Sequence, residues 1–207
     1  MADIEYFYSA HSAFAYLGSA LFMEIAGRLE RRIAHKPVEL RELVAVSSGV
    51  PFARRSAAHY QYYFGREIER WSQWRDAPVM NHPPTHHHAD TTLSNCMLIA
   101  GLRQGFNVDQ LAHGMLCAHW RDDADLSNPE TLATIGEAVG LDPEPLLQDA
   151  LSDDIRVVYR ANTREAIDRS VFGSPTYVLD GDMFYGQDHL EMLERAAAQP
   201  FARFYSL

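Results

Sequence analysis

The sequence carries no C-x-x-C pair, and its two cysteines, Cys96 and Cys117, both sit in apolar helical patterns. A cysteine in such a setting behaves as a small buried hydrophobe, so the expectation is a reduced, cytoplasmic protein. No apolar run reaches membrane-spanning length. The first residues read as a strand rather than as a charged-then-apolar leader, so no export signal is expected. Positive charge is scarce: 18 basic against 28 acidic side chains leave a net charge of −10, with no basic stripe. Nucleic acid and membrane are therefore not expected as partners. Internal repeats are missing, and His86-His87-His88 is the one low-complexity run. Strand signals are nearly absent from Leu43 to Asp153.

What is present is apolar content of 47% over 207 residues, enough for the core of one large domain or of one domain carrying an insertion. Ile4 to Tyr8 is aromatic and β-prone. From Ser12, the positions Phe14, Tyr16, Leu17, Leu21, Phe22 and Ile25 recur at helical spacing to about Arg31. Lys36 to Leu40 reads as a second strand, completing a parallel, right-handed βαβ unit. Helical patterns then follow over Ser56–Trp74, Thr91–Leu102, Val108–Trp120, Pro129–Val139 and Pro143–Leu151, the last capped by Asp142. Asp154 to Ser170 is a further helix. Gly173 to Leu179 is a strand entered through Pro175, Asp180-Gly181 is a hairpin turn, Asp182 to Tyr185 is the return strand, and Gly186 to Ala198 closes as a helix. The order β-α-β, helices, α-β-β-α predicts an α/β, thioredoxin-like fold with a large all-helical insertion. The outer parts, 1–42 and 154–207, form the thioredoxin-like domain, and 43–153 form the insertion.

Two features of this plan carry chemistry. Where the first strand turns into the first helix, unpaired backbone N–H groups and the helix dipole favour negative charge. Ser9 and Ser12 stand at that junction, and a hydroxyl there either caps the helix or holds an anionic reactant. Proline cannot donate to a sheet ladder, so Pro175 at the start of a central strand needs a special reason. In thioredoxin-like folds that reason is a cis peptide bond facing the first helix, with the preceding residue, Ser174, presenting its backbone to a ligand.

These segments resemble the 2-hydroxychromene-2-carboxylate isomerases and kappa-class glutathione transferases, branches of the DsbA-like thioredoxin superfamily. The matching stretches are Tyr8 to Leu17, with Ser12, Phe14 and Tyr16 in register, Phe172 to Tyr177, Asp180 to Asp188, and Asp125 to Pro129. The resemblance implies that Ser12 stands where redox relatives carry their attacking cysteine. Ser12-Ala13-Phe14-Ala15 rules out intrinsic dithiol chemistry there, so the thiol is brought in as glutathione and its thiolate is held by the Ser12 hydroxyl. Ser174, beside Pro175, would pair with the cysteinyl backbone of glutathione. Gln187 and Asp188 would receive its γ-glutamyl end, although both residue types also suit plain N-terminal capping. His11, Phe14 and Trp120 are the candidates to line a substrate pocket. The implied activity is a glutathione-dependent isomerase of aromatic catabolism, acting on a small aromatic carboxylate. A kappa-type transferase or peroxidase, and a non-catalytic thioredoxin-like binding module, are the alternatives. A homodimer is a further family expectation.

The chain departs from the family motif at Ser9, usually Asp, at Ala13, usually Pro, and at His11, usually apolar; these changes bear on substrate more than on fold. His82 and His86 to His88 invite a metal reading, but adjacent residues do not converge on one ion and no acid or thiol stands at a matching spacing. No metal is expected. The aromatic residues Tyr60, Tyr63, Trp71, Trp74 and Trp120 read mostly as core of the insertion, and Arg54 and Arg55 as either a carboxylate anchor or a solvated surface.

Overall fold

The computed structural model describes residues 3–47 and 51–202. Residues 1–2, 48–50 and 203–207, which the sequence assigns to the outer parts and the insertion, lie outside the described residues. Strand β1 (Ile4–Tyr8) pairs in parallel with β2 (Ile33–Pro37) through the crossover helix α1 (Ala13–Arg28). On its other side β1 pairs antiparallel with β3 (Thr176–Leu179), which pairs antiparallel with β4 (Asp182–Tyr185), in the order β2-β1-β3-β4. Asp180 and Gly181 both have positive φ, 50° and 83°, as a two-residue hairpin turn matching the strand twist requires.

Strand β1 is buried on both faces. Tyr6 and Tyr8 pack with Phe22 and Tyr177, while Phe7 points into a smaller cluster with Val38, Leu43, Ala166, Val171 and Val178. That explains its unbroken aromatic sequence, since only one-sided strands need to alternate. Helices follow β2: α2 (Leu40–Ser47), α3 (Ala57–Gln61), α4 (Glu67–Arg75), α5 (Thr92–Arg103), α6 (Asp109–Asp122), α7 (Pro129–Ala138), α8 (Pro143–Ala150) and α9 (Asp153–Asp168). A 3-10 turn at Gln187–His189 leads into α10 (Leu190–Ala198). The largest apolar cluster is continuous from Tyr6 and Tyr177 in the sheet to Met97, Leu111 and Leu146 in the helices. No helix among the described residues is long and apolar enough to cross a membrane.

Several boundaries differ from those the sequence suggests. The second strand lies at Ile33–Pro37 rather than Lys36–Leu40, and α2 is an additional helix. The Glu39 carboxylate accepts the Arg41 N–H at 3.1 Å, so a local side-chain bond turns Pro-Val-Glu-Leu into a helix start. The first helix ends at Arg28, where Glu30 takes a left-handed φ of 52°. Between α3 and α4 the chain makes one π-helical segment, Tyr62–Arg66. Tyr60 and Trp74 are exposed, at 39% and 77%, rather than in the core: α3 buries none of its residues, and α4 buries Ile68.

Gly18 marks the closest approach of α1 to the 3-10 turn. A Cβ there would lie 2.6 Å from Gln187 Cβ and 3.1 Å from Leu190 Cδ1. Gly18→Ala should therefore cost about 1–3 kcal/mol by overpacking, seen as a lower urea midpoint with an unchanged slope.

Candidate active site

The chain leaves β1 at Tyr8, turns through Ser9 to His11 and enters α1 with Ser12 as its N-cap. The Ser12 hydroxyl oxygen accepts the Ala15 N–H at 3.3 Å and donates its hydrogen to the Ser174 carbonyl at 3.1 Å. The Ser174–Pro175 peptide bond is cis. Facing Ser12 from β3, this segment is seated by two bonds: Ser9 N–H to Ser174 Oγ at 3.2 Å, and Gly186 N–H to the Pro175 carbonyl at 2.9 Å. The β1–α1 turn and the proline strand thus meet through two bonds to Ser174, one from Ser9 N–H and one from the Ser12 hydroxyl.

Beside this contact lies a cleft whose lining includes Phe14, Tyr63, Trp71, Ser174, Gln187 and Asp188. Its volume is about 80 Å³, within about 390 Å³ of free space that includes open solvent. Phe14 packs at a tilt against Tyr63, with ring centroids 4.8 Å apart. Burial and the facing Tyr185 hydroxyl hold the Tyr63 phenol protonated, well above its ordinary pKa. Arg55 is half-buried, lies over the rings of Phe52 and Phe64, and makes no ion pair among the described residues. Arg54 is exposed.

Gln187 and Asp188 belong to the 3-10 turn rather than to the first turn of α10. Asp188 is half-exposed beside His189, while Gln187 is buried. Arg75, at the end of α4, donates to Gln187 Oε1 at 2.9 Å and to its carbonyl at 3.2 Å, and forks onto Glu191 at 2.5 and 3.1 Å. Gln187 Nε2 is buried with no partner among the described residues, an uncommon state for an amide donor.

His11 and Trp120 do not line the cleft. The Trp120 indole N–H donates to the His11 carbonyl at 2.9 Å, so Trp120 buttresses the turn from behind. His11 is buried against His87 and His119, with ring centroids 5.2 and 6.4 Å away. His119 Nδ1 faces the Ala124 carbonyl at 3.1 Å and so must carry the hydrogen; its Nε2 then accepts from His87 Nδ1 at 3.1 Å. Burial, with the neighbouring imidazoles, pushes His11 well below the ordinary histidine pKa and His87 down to about 4. Among the described residues, no group of three or more His, Cys, Asp or Glu side chains is arranged to hold a metal ion.

Asn95 is the site residue that sequence reasoning does not find. Fully buried on α5, it accepts the Ala10 N–H at 3.0 Å and donates to Ser9 Oγ at 3.1 Å, Thr91 O at 2.9 Å and Tyr159 OH at 3.3 Å. Ser9 Oγ also bonds His11 Nδ1 at 2.9 Å. One amide thereby fixes the backbone leading to Ser12. Asn95→Ala strands the Ala10 N–H in a buried site and should cost about 2–4 kcal/mol, measurable by equilibrium denaturation.

Comparison with known proteins agrees with this architecture. The model of the DSBA-like thioredoxin domain matches residues 3–198. A 2-hydroxychromene-2-carboxylate isomerase of Sphingobium xenophagum is 25% identical over 194 residues, covering 92% of this chain and 95% of that protein. A solved structure of 2-hydroxychromene-2-carboxylate isomerase superposes with a TM-score of 0.78 at 22% identity, covering 95% of this chain and 94% of that one. The cytosolic disulfide reductase DsbM of Pseudomonas aeruginosa, solved with GSH, superposes with a TM-score of 0.63 at 14% identity over 96% of this chain and 93% of its own.

Proposed function

The chain belongs to the DSBA-like thioredoxin domain family, and from that premise we propose that it is a glutathione-dependent isomerase of the 2-hydroxychromene-2-carboxylate type. The observation that carries the reading is the Ser12 hydroxyl, a helix N-cap that also donates to the carbonyl of Ser174 beside a cis proline. Relatives of that name over nearly the whole chain support the reaction type, and a neighbour of the same fold solved with GSH supports the ligand. The residues present fit a tripeptide: an open cleft runs past Ser174, and its wall holds a buried amide donor, Gln187 Nε2, that lacks a partner.

When bound, glutathione supplies a thiolate that adds reversibly to a conjugated enone, so that the former double bond turns before the thiolate is expelled. The protein's part is positioning and charge. Ser12 has one hydrogen, given to Ser174 O in the free protein. Turning it toward a thiolate stabilises the charged form and frees the Ser174 carbonyl for the N–H of a cysteinyl backbone. Binding and activation are thus one exchange of hydrogen-bond partners. The α1 N-terminus adds its dipole. Gln187 and Asp188 take the γ-glutamyl end, with Arg75 holding Gln187 in place. Phe14 and Tyr63 offer aromatic surface to the substrate, and Arg55, which lacks an acidic partner, its carboxylate.

The free-state bonding of Ser12 also favours a second reading, a non-catalytic binding module in which the hydroxyl is only a cap. Two experiments separate them. Calorimetry should show glutathione binding at millimolar concentration or below, and absence of heat sinks the enzymatic reading. A spectrophotometric assay of chromene ring opening should then show turnover that depends on added glutathione.

A further inference from the structure

A second cavity lies elsewhere. Of about 400 Å³, it is lined by Glu39 and Glu42 of the β2–α2 junction, Asp90 and Thr92 at the start of α5, and Arg156, Tyr159, Arg160 and Thr163 of α9. It shares no lining residue with the Ser12 cleft, and its size is that of ordinary small-molecule sites.

Its charges are unevenly committed. Both Glu39 carboxylate oxygens are occupied: Oε2 accepts the Tyr159 hydroxyl at 3.2 Å and Oε1 the Arg41 N–H at 3.1 Å. Asp90 accepts the Thr92 N–H at 2.8 Å. Thr163 Oγ accepts the Glu39 N–H at 2.9 Å and donates to the Tyr159 carbonyl at 3.1 Å. The carboxylates that could have neutralised the arginines are thus largely bound to other donors. The guanidinium groups of Arg156 and Arg160 and the Glu42 carboxylate make no hydrogen bond or ion pair among the described residues; Asp90 feels the charge of Arg156 without pairing with it. Four residues apart on α9, the two arginines lie on one helical face. The cavity therefore offers a pair of guanidinium forks and, from α2, one uncommitted carboxylate.

We propose that this cavity is a second small-molecule site, taking a zwitterion of the α-amino-acid class with its carboxylate on Arg156 and Arg160 and its ammonium on Glu42. Each end of such a ligand meets a group of opposite charge that makes no ion pair among the described residues, whereas a simple anion engages only the arginines and a simple cation only Glu42. The proposal stands apart from the glutathione reading.

Calorimetry on the whole chain, with L-glutamine as probe and acetate and methylammonium as single-charge controls, tests it. L-glutamine should bind in the millimolar range and both controls about tenfold or more weakly, a difference of about 1.4 kcal/mol. The double variant Arg156→Gln/Arg160→Gln, at exposed positions, should keep its melting temperature and lose L-glutamine binding by about tenfold or more; Glu42→Gln should do the same. L-glutamine binding should survive Asp188→Asn, which removes the acid proposed to hold a γ-glutamyl ammonium in the Ser12 cleft. The proposal is overturned by no L-glutamine binding to the wild type, by equal binding to the double variant, by acetate binding as tightly, or by loss of binding in Asp188→Asn, which would place the amino acid in the Ser12 cleft.

Discussion

Ser12→Ala should lower glutathione-dependent turnover by about two to three orders of magnitude, the range seen when one preorganised donor to a developing anion is removed. Stability should fall by only about 1–2 kcal/mol, because the fold loses one helix cap and the buried Ala15 N–H loses its acceptor. The two losses are separable in one preparation, by assay and by denaturation. Ser12→Thr keeps a hydroxyl and a cap, and should restore most of the turnover if its methyl group is accommodated. Equal turnover in wild type and Ser12→Ala would show that the hydroxyl only caps α1. A variant that loses both activity and several kcal/mol of stability would mean that the Ser174 carbonyl, left without its 3.1 Å donor, matters to the fold more than to the reaction.

Acidification should destabilise the protein before its carboxylates titrate. His87 has a folded-state pKa of about 4, lowered chiefly by burial, against about 6.5 in an unfolded chain. Between those values the unfolded state binds the extra proton, so stability falls as pH drops and is lost progressively from about pH 6.5 to about pH 4. The full interval is worth about 3 kcal/mol for His87 alone, at 1.36 kcal/mol per pH unit. His11, His113 and His119 are shifted in the same direction, also chiefly by burial. Their contributions interact within the cluster, because His11, His87 and His119 lie against one another and protonating one raises the cost of protonating the next. Urea denaturation at a series of pH values should show the slope, and His87→Gln should flatten it. A stability that stays constant between pH 7 and pH 5 would contradict the buried, neutral assignment.

The parts of the molecule that were legible in the sequence are those specified locally. Strand β1, strand β4, the Asp180-Gly181 hairpin, the proline start of α7 and the Asp142 cap of α8 each carry their signal within a few residues, and each lies where the pattern puts it. The start of α1 at Ser12 and the proline entry into β3 were legible because serine is a favoured helix cap and a proline at the start of a central strand needs a special backbone. The rest depends on partners distant in sequence. Asn95 sits in a run of buried α5 residues with no motif around it, and only the fold brings it beneath Ser9 and Ala10. His86 to His88 do not converge, as their adjacency implies. What adjacency hides is that His87 meets His11 from the β1–α1 turn and His119 from α6. Arg75 reaches Gln187 across 112 residues of sequence, so the arginine that anchors the 3-10 turn looked like an ordinary charge at a helix end. Trp120 was read as cleft-facing because large aromatics often line crevices, yet its indole N–H had a backbone carbonyl to satisfy at His11.

The most direct test follows the thiol itself. The ultraviolet absorbance of the thiolate, titrated against pH with glutathione bound to the wild type and to Ser12→Ala, gives the ionisation of the ligand's sulfur in each. The account predicts a bound thiol in the wild type that ionises clearly below its free value, and a return toward that value in Ser12→Ala. Glutathione that binds with its thiol ionising as it does in free solution, in the wild type as in the variant, would contradict it.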